Sequence, residues 1–283
     1  GDSPQAVGLA RGIGEKLKEL VGAKDRPGLL HAAISRLERS GAVQPAHTVA
    51  GRIEQALAWL DNLNVDDKGL GHHAIKLVTE EGRKIADQCH GPEKYRLNQL
   101  CDDIDRLAMQ LADLQRRGLG DSPQAKDIAD QLRQKLHELR DLMSKALTDR
   151  VVEDFADITT PLKQFTDAAL APEGAPDREL NFQDKAQNLE AHSTRCAQTG
   201  RMVASGGPCK NKKTVEALCD AANQVSNMTP QIINAGKIRL HHPTSKSADE
   251  HFENLRRQFA DALQRLRALV DEAINAGDFV KAS

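Results

Sequence analysis

Three aspartates in one helical segment are the first candidates for chemistry in this sequence. Asp102, Asp103 and Asp105 form an Asp-Asp-x-Asp pattern. All-helical isoprenoid synthases hold Mg²⁺ and a diphosphate with Asp-rich helix motifs, but their spacing is Asp-Asp-x-x-Asp. On a helix, Asp102 and Asp105 are neighbours, whereas Asp103 points about 100° away. The chain has no second Asp-rich motif and only 3% aromatic residues, so we interpret these aspartates as a solvated helix face.

Two adjacent histidine pairs are the next candidates, this time for a metal. They are His72-His73 and His241-His242. A zinc-binding pair on one helix needs i, i+4 spacing, because adjacent residues face different ways. Neither pair has that spacing, so we expect no metal site.

The chain has five cysteines, an odd number, and no Cys-x-x-Cys motif. In the absence of a secretory signal, this predicts reduced thiols in the cytosol. Cys101, Cys196 and Cys219 fall near apolar stripes and are predicted to be small core residues. Cys209 follows two glycines and a proline and is predicted to be the most exposed thiol. Cys89-His90 is predicted to close a helix, where a histidine suits the negative end of the helix dipole.

The remaining motifs argue against catalysis. Gly-x-Ser-x-Gly, Walker and Gly-x-Gly-x-x-Gly loops are all missing from the sequence. We therefore predict no catalytic, cofactor-binding or metal-binding residues, no cofactor and no enzyme activity.

Charge and the single tryptophan give two further expectations. The net charge is only -2, so nucleic-acid or membrane binding would need a local basic patch. Lys210, Lys212 and Lys213 form one small basic cluster, which could contact an acidic partner or a phosphoinositide. We interpret it as a solvated loop and expect binding neither to nucleic acid nor to membrane phospholipid.

Trp59 is predicted to pack in the core at a helix end rather than to anchor an interface.

The positions of apolar residues predict an all-α fold. They recur every three or four residues, as on one face of a helix. We predict helices at about 3–21, 28–39, 47–62, 70–90, 92–118, 122–158, 162–170, 178–204, 211–241 and 246–276. Ser122-Pro123 suits a helix start. Pro161 is expected to kink or end the long helix, and Pro230 to kink another. The clearest stripe is Leu97, Leu100, Ile104, Leu107, Leu111 and Leu114.

An internal repeat indicates tandem units. Residues 1–20 and 120–139 both begin Gly-Asp-Ser-Pro-Gln-Ala, and 11 of their 20 positions are identical. An offset of 119 residues is about four long helices, so the sequence predicts tandem four-helix bundles that share a long central helix. The expected boundaries are 1–45 for the end of a preceding bundle, 46–150 and 151–276 for two bundles, and 277–283 for a tail. Because the chain does not begin with methionine, we expect it to be part of a longer protein.

Several segments resemble the vinculin/α-catenin family. The most specific is Ile-Glu-Gln-Ala-Leu-Ala-Trp-Leu-Asp-Asn at 53–62, which continues into 64–67 and 69–71. The stretch Thr-Pro-Gln-Ile-Ile-Asn-Ala at 229–235 is less specific, because both branches of the family have one like it. The other landmarks are the Gly-Asp-Ser-Pro helix starts, 157–161 and 250–253. The sequence departs from the family at 22–45, where Arg26-Pro27-Gly28 interrupts a helix that the family keeps longer.

The resemblance implies a function without chemistry. It implies the third domain of the vinculin-branch head, with the end of the second domain at its N-terminus. Members of that branch are cytoplasmic adaptors, associated with the cytoskeleton at cell adhesions. They link talin or α-catenin to actin, through domains outside this chain, and their head clamps their own C-terminal tail. We therefore expect a scaffold segment that contributes to this autoinhibition. The alternatives are an α-catenin-like cell–cell adhesion adaptor and a helical Mg²⁺-dependent enzyme.

Overall fold

The computed structural model describes residues 48–282, with side chains up to residue 276. Within this range the regular elements are all α-helices, which confirms the predicted fold class. The helices predicted at 3–21 and 28–39, and the first copy of the repeat, lie outside the described residues. The described helices are α1 Val49–Asp61, α2 Leu70–Asp87, α3 Pro92–Arg116, α4 Pro123–Phe155, α5 Thr160–Ala169, α6 Arg178–Gly206, α7 Lys212–His241 and α8 Lys246–Ala282.

Side-chain caps fix several helix starts. The Thr48 side chain accepts a hydrogen bond from the backbone N–H of Gly51 at 3.1 Å. Ser122 Oγ accepts one from the backbone N–H of Ala125 at 3.2 Å, as expected for the start of α4. Such caps satisfy first-turn N–H groups that have no partner within the helix.

The long helix α4 ends earlier than predicted. Its last residue is Phe155, and Pro161 lies in the first turn of α5 rather than at the break. Asp157 Oδ1 accepts hydrogen bonds from the backbone N–H groups of Thr159 and Thr160, both at 3.0 Å. The Thr160 side chain, followed by these two backbone N–H groups, holds the pKa of Asp157 well below its usual range by hydrogen bonding to the carboxylate. The Asp157 carboxylate therefore starts α5, and Pro161 fits there because a first-turn residue needs no N–H donor.

Helix α7 continues through Pro230 without a break. Proline lacks the N–H that would bond to the preceding turn, but the bonds on either side are kept. Thr229 Oγ1 also donates to the carbonyl oxygen of Val225 at 2.7 Å. The bend expected at this position stays a prediction.

The described helices form two compact units that divide inside α4, between Leu139 and Arg140. Unit 1 holds α1, α2, α3 and the first part of α4. Unit 2 holds the rest of α4 and helices α5 to α8, and residues 87–90 are grouped with it. The two units thus share one helix of 33 residues, as the sequence predicts. Unit 2 has five helical segments rather than four, because the expected continuation of α4 is the separate helix α5. The domain boundaries predicted at residues 45, 150 and 276 stay predictions.

Each unit has its own apolar core. In unit 1, the six residues of the clearest predicted stripe are all buried. In unit 2, the ring centroid of Phe165 lies 5.4 Å from that of Phe182 and 6.1 Å from that of Phe252. Gly236 lets α7 approach this aromatic cluster, because a Cβ there would lie 2.6 Å from Phe165 Cζ.

Candidate functional site

Trp59 is buried in the core of unit 1 with 4% of its surface exposed, which confirms the prediction. Its Nε1 donates to Gln115 Oε1 at 3.0 Å, and Gln115 Nε2 donates to the carbonyl oxygen of Leu63 at 2.7 Å. The indole stacks on His72 with 6.0 Å between ring centroids. A Cβ on Gly71 would lie 2.1 Å from Trp59 Cβ. The segment that carries the family resemblance therefore packs around a buried tryptophan whose ring N–H has a hydrogen-bond partner.

Two of the candidate aspartates on α3 are bound by α2. Arg83 Nη2 lies 2.8 Å from Asp102 Oδ1 and 2.7 Å from Asp105 Oδ2. Thr79 Oγ1 donates to Asp105 Oδ1 at 2.8 Å. Burial disfavours the Arg83 cation, but hydrogen bonds to the two carboxylates outweigh burial and raise the pKa of Arg83. The prediction of a merely solvated face is wrong for Asp105, whose side chain is 29% exposed, although Asp102 is 72% exposed.

The third aspartate, Asp103, has different partners. Its carboxylate lies 3.5 Å from Arg106 Nη2 and 3.9 Å from Lys135 Nζ of α4. The three carboxylates therefore do not converge on one point. Across residues 48–276, no group of three or more His, Cys, Asp or Glu side chains is arranged to hold a metal ion.

Within residues 48–276, the two histidine pairs also belong to no group of side chains that could hold a metal ion. His72 lies against Trp59, and burial, followed by the positive charge of Lys76, lowers its pKa. His241 Nε2 lies 2.7 Å from Glu179 Oε1, which links the end of α7 to the start of α6. The site that these histidines build is a set of helix–helix contacts.

The structure reveals a buried polar cluster that the sequence analysis missed. Asp154, on the last turn of α4, has a side chain only 3% exposed. Thr199 Oγ1 of α6 donates to Asp154 Oδ2 at 2.5 Å. Arg150 Nη2 lies 3.6 Å from Oδ2, and Arg195 Nε lies 3.9 Å from Oδ1. The carboxylate thus has one hydroxyl donor and two nearby cations.

A cysteine and a histidine also belong to this cluster, which gives it the residue types of a Cys-His-Asp catalytic triad. His192 Nε2 lies 3.6 Å from Cys196 Sγ, and Cys196 Sγ contacts the backbone carbonyl oxygen of Asp154 at 3.5 Å. Burial raises the pKa of Cys196 to about 12, so the group stays a thiol, whereas the thiolate is the nucleophile. The Asp154 carboxylate bonds to Thr199 rather than to His192. The arrangement is structural.

One signal in the sequence could have revealed this cluster. The apolar stripe of α4 runs through Leu147 and Val151, and its next position, three residues on, is Asp154. A carboxylate at a core position must be paired or hydrogen-bonded, since burying an isolated charge is very unfavourable.

The thiols do not follow the predicted order of exposure. Cys209 was expected to be the most exposed, but it is buried, because the short connection from α6 to α7 turns its side chain inward. Its Sγ lies 3.9 Å from the carbonyl oxygen of Asn211. Cys219 is half-buried and is the most accessible of the five. Cys101 and Cys196 are buried, as predicted, and so is Cys89.

The basic cluster lies at the start of α7, where Lys210, Lys212 and Lys213 are all exposed. Lys212 Nζ lies 3.8 Å from Glu216 Oε1. Asn211 Oδ1 accepts hydrogen bonds from the backbone N–H groups of Lys213 and Thr214, so the helix start is already capped. This agrees with the interpretation as a solvated loop.

Unit 2 has a shallow open groove of about 280 Å³ between α5 and α8. Its floor includes Ile158, Leu162 and Leu263, all of which are buried. Arg256 at its rim is ion-paired with Glu253 at 2.5 Å. Polar side chains, among them Lys163 and Asp167, line the groove together with these apolar residues. Within the described part of the chain, no helix has both the length and the apolar character of a membrane span.

Comparison with known proteins places these features in a family. The sequence profile of the Vinculin family matches residues 17–283. Vinculin from Brugia malayi is 56% identical over 277 residues, covering 98% of this chain and 28% of that protein. Vinculin from Caenorhabditis elegans is 54% identical over 280 residues, covering 99% of this chain and 25% of that protein. Human vinculin is 38% identical over 283 residues, covering 100% and 24%. The chain thus spans about a quarter of the length of these relatives.

Solved structures give the same result for the fold. A vinculin homolog from a sponge, a protein connected with vertebrate-like cell adhesions, has a TM-score of 0.69 at 28% identity. The match covers 89% of this chain and 32% of that one. The HMP-1 M domain has a TM-score of 0.63 at 18% identity, covering 78% and 63%, and supports the fold alone.

Proposed function

The chain belongs to the vinculin family, and we propose that it acts as a non-enzymatic scaffold segment of a protein at cell adhesions. Proteins of this family are structural adaptors, not enzymes. The relatives named above, at 38–56% identity over almost the whole chain, are vinculins. These identities favour the vinculin branch over an α-catenin-like adaptor, and family membership argues against an Mg²⁺-dependent enzyme.

The observation that carries this proposal is how the chain uses its polar clusters. Arg83 is engaged by two carboxylates of α3, and Asp154 is engaged by Thr199 with two arginines nearby. In both units these groups connect one helix of the unit to another. Side chains occupied in this way fix the positions of helices, as expected in a scaffold.

The finer assignment follows the family resemblance. We assign the chain to the third domain of the head, with the end of the second at its N-terminus. The full-length protein works on the cytoplasmic side of cell adhesions, associated with the cytoskeleton. Talin, α-catenin and actin bind through domains outside this chain. The surface of this segment contributes to the contact between the head and the C-terminal tail.

The tail contact can be tested by calorimetric titration. The full chain is titrated with the isolated C-terminal tail domain of the C. elegans relative, at low and at high salt. We expect heat at low salt that weakens at high salt, because exposed charge pairs are screened by ions. Asp102→Asn serves as the control variant, since Asp102 already pairs with Arg83. If neither salt gives heat while a longer head fragment does bind, the segment is a spacer and the autoinhibitory role is wrong.

A further inference from the structure

The buried Asp154 cluster lies where helix α4 ends in unit 2. Helix α4 ends at Phe155, one residue after Asp154, and α5 begins at Thr160. Thr199 of α6 holds the Asp154 carboxylate, and Cys196 of the same helix contacts its backbone carbonyl. Contacts to α6 therefore hold the end of α4 immediately before the turn at residues 156–159.

His192 is the group in this cluster that can change charge near neutral pH. It is 7% exposed, and its Nδ1 is buried without a hydrogen-bond partner. The backbone carbonyls of Asp154 and Asp157 lie near enough to favour a protonated ring, but they make no bond of ordinary geometry to Nδ1. Arg195, one turn along the same helix, disfavours a second positive charge.

The cations of the cluster are arranged around Asp154 rather than around the imidazole. Arg150 of α4 and Arg195 of α6 both lie within 4 Å of the Asp154 carboxylate, at 3.6 and 3.9 Å. A protonated His192 would bring a third positive charge to one buried carboxylate. The cluster is thus arranged for a neutral histidine.

We propose that the cluster around Asp154 is an acid-sensitive latch, in which protonation of His192 loosens the end of α4 and the start of α5 from α6. The turn at residues 156–159 gives the chain a place to open without unwinding the interior of either helix. The latch is closed at neutral pH and opens as the pH falls.

The direction of the effect follows from where the proton binds. Burial, followed by the charge of Arg195, lowers the pKa of His192; the Asp154 and Asp157 carbonyls and the Asp154 carboxylate oppose this shift without reversing it. An opened state, with a pKa near that of free imidazole, takes up the proton first as the pH falls below about 6.5. The latch is therefore at full strength above that pH and weakens below it, until the closed state is protonated as well.

Hydrogen exchange read by mass spectrometry tests the latch on the full chain. Peptides covering residues 150–169 and α6 are compared at pH 7.5 and pH 5.5, after correction for intrinsic exchange rates. We expect the opening constant of these peptides to rise about threefold or more at pH 5.5, since one unit of pKa difference corresponds to about tenfold. In His192→Gln, which cannot titrate, the opening constant should not depend on pH.

Two further variants make the test specific. His72→Gln removes a second histidine whose pKa is lowered, but in unit 1, so the pH dependence at 150–169 should persist. Arg195→Gln changes a half-exposed residue and should weaken the pH dependence, which decides the matter if His192→Gln does not fold. An unchanged pH dependence in His192→Gln, or in Arg195→Gln if His192→Gln does not fold, would overturn the proposal, and so would slower exchange at pH 5.5.

Discussion

Asp105 in unit 1 and Asp154 in unit 2 have similar partners but different surroundings. Each accepts a hydrogen bond from a threonine, at 2.8 Å and 2.5 Å respectively. Asp105 has an arginine at 2.7 Å and is 29% exposed. The arginine closest to Asp154 is 3.6 Å away, and the aspartate is 3% exposed. Unit 1 keeps its ion pair where water can reach it, whereas unit 2 places its carboxylate in the core.

This difference indicates that solvent access, more than the number of partners, determines how much stability is lost when a charged cluster is disrupted. A partly exposed pair contributes little, because water replaces either partner when the other is lost. A buried carboxylate adds little net stability while it is intact, but removing it leaves desolvated donors and cations without a partner. We therefore expect unit 2 to be far more sensitive to charge changes than unit 1.

The largest effects should come from the apolar cores and should be equal in the two units. Leu136 in unit 1 and Leu266 in unit 2 are both fully buried. Each Leu→Ala change should lower the free energy of unfolding by about 2–5 kcal/mol, measured by urea titration with far-UV circular dichroism. Leu180→Ala, at a residue 65% exposed, is the control and should change it by less than about 0.5 kcal/mol. A loss that small at both buried sites would show that the core assignment is wrong.

Asp154→Asn should have the second-largest effect and lower the free energy of unfolding by about 2–4 kcal/mol, measured by the same urea titration. The amide can still accept a bond from Thr199, but Arg150, whose side chain is 19% exposed, loses the charge of its buried partner. Arg195 is half-exposed, so water compensates for its loss of the same partner. Thr199→Val serves as the companion variant, because it removes the hydroxyl donor and leaves the charge. A loss below about 0.5 kcal/mol for Asp154→Asn would mean that water reaches the cluster.

Asp105→Asn should lower the free energy of unfolding by about 1 kcal/mol. Its bonds to Thr79 and Arg83 are partly exposed, so water compensates for much of the loss. The double variant with Thr79→Val separates the hydroxyl bond from the ion pair. A loss as large as that of Asp154→Asn would remove the contrast between the units.

Asp102→Asn should have the smallest effect, within about 0.5 kcal/mol. Its side chain is 72% exposed, and Arg83 keeps Asp105 as a partner. Binding of the tail domain, measured by the calorimetric titration, should also be unchanged. A clear loss of binding would instead identify this face of α3 as part of the tail-binding surface.

Periodic features of this fold could be read from the sequence. The helices, the buried stripe of α3 and the serine cap of α4 depend on residues a few positions apart, so local spacing specifies them. The burial of Trp59 was also predicted. Its partner Gln115 could not be, because 56 residues separate the two and only the packed helices bring them together.

Three features were not predicted from local sequence patterns, each for a physical reason. Helix α4 ends at Phe155, and Asp157 accepts hydrogen bonds from the backbone N–H groups at the start of the next helix, so the break precedes Pro161. The burial of Cys209 could not be predicted, because a loop has no periodic sequence pattern that indicates which side chains face the core. The aspartates of α3 pair with Arg83 because of how α2 and α3 face each other, which no single-helix pattern specifies.

Native-state hydrogen exchange of Asp154→Asn and Asp102→Asn, side by side at pH 7.5, tests the contrast between the units most directly. It shows where stability is lost as well as how much. We predict that Asp154→Asn speeds exchange in the turn at residues 156–159 and in the facing part of α6. Asp102→Asn should leave α2 and α3 as protected as in the unchanged chain. Equal effects of the two variants on their own units, or no effect of Asp154→Asn, would contradict the account.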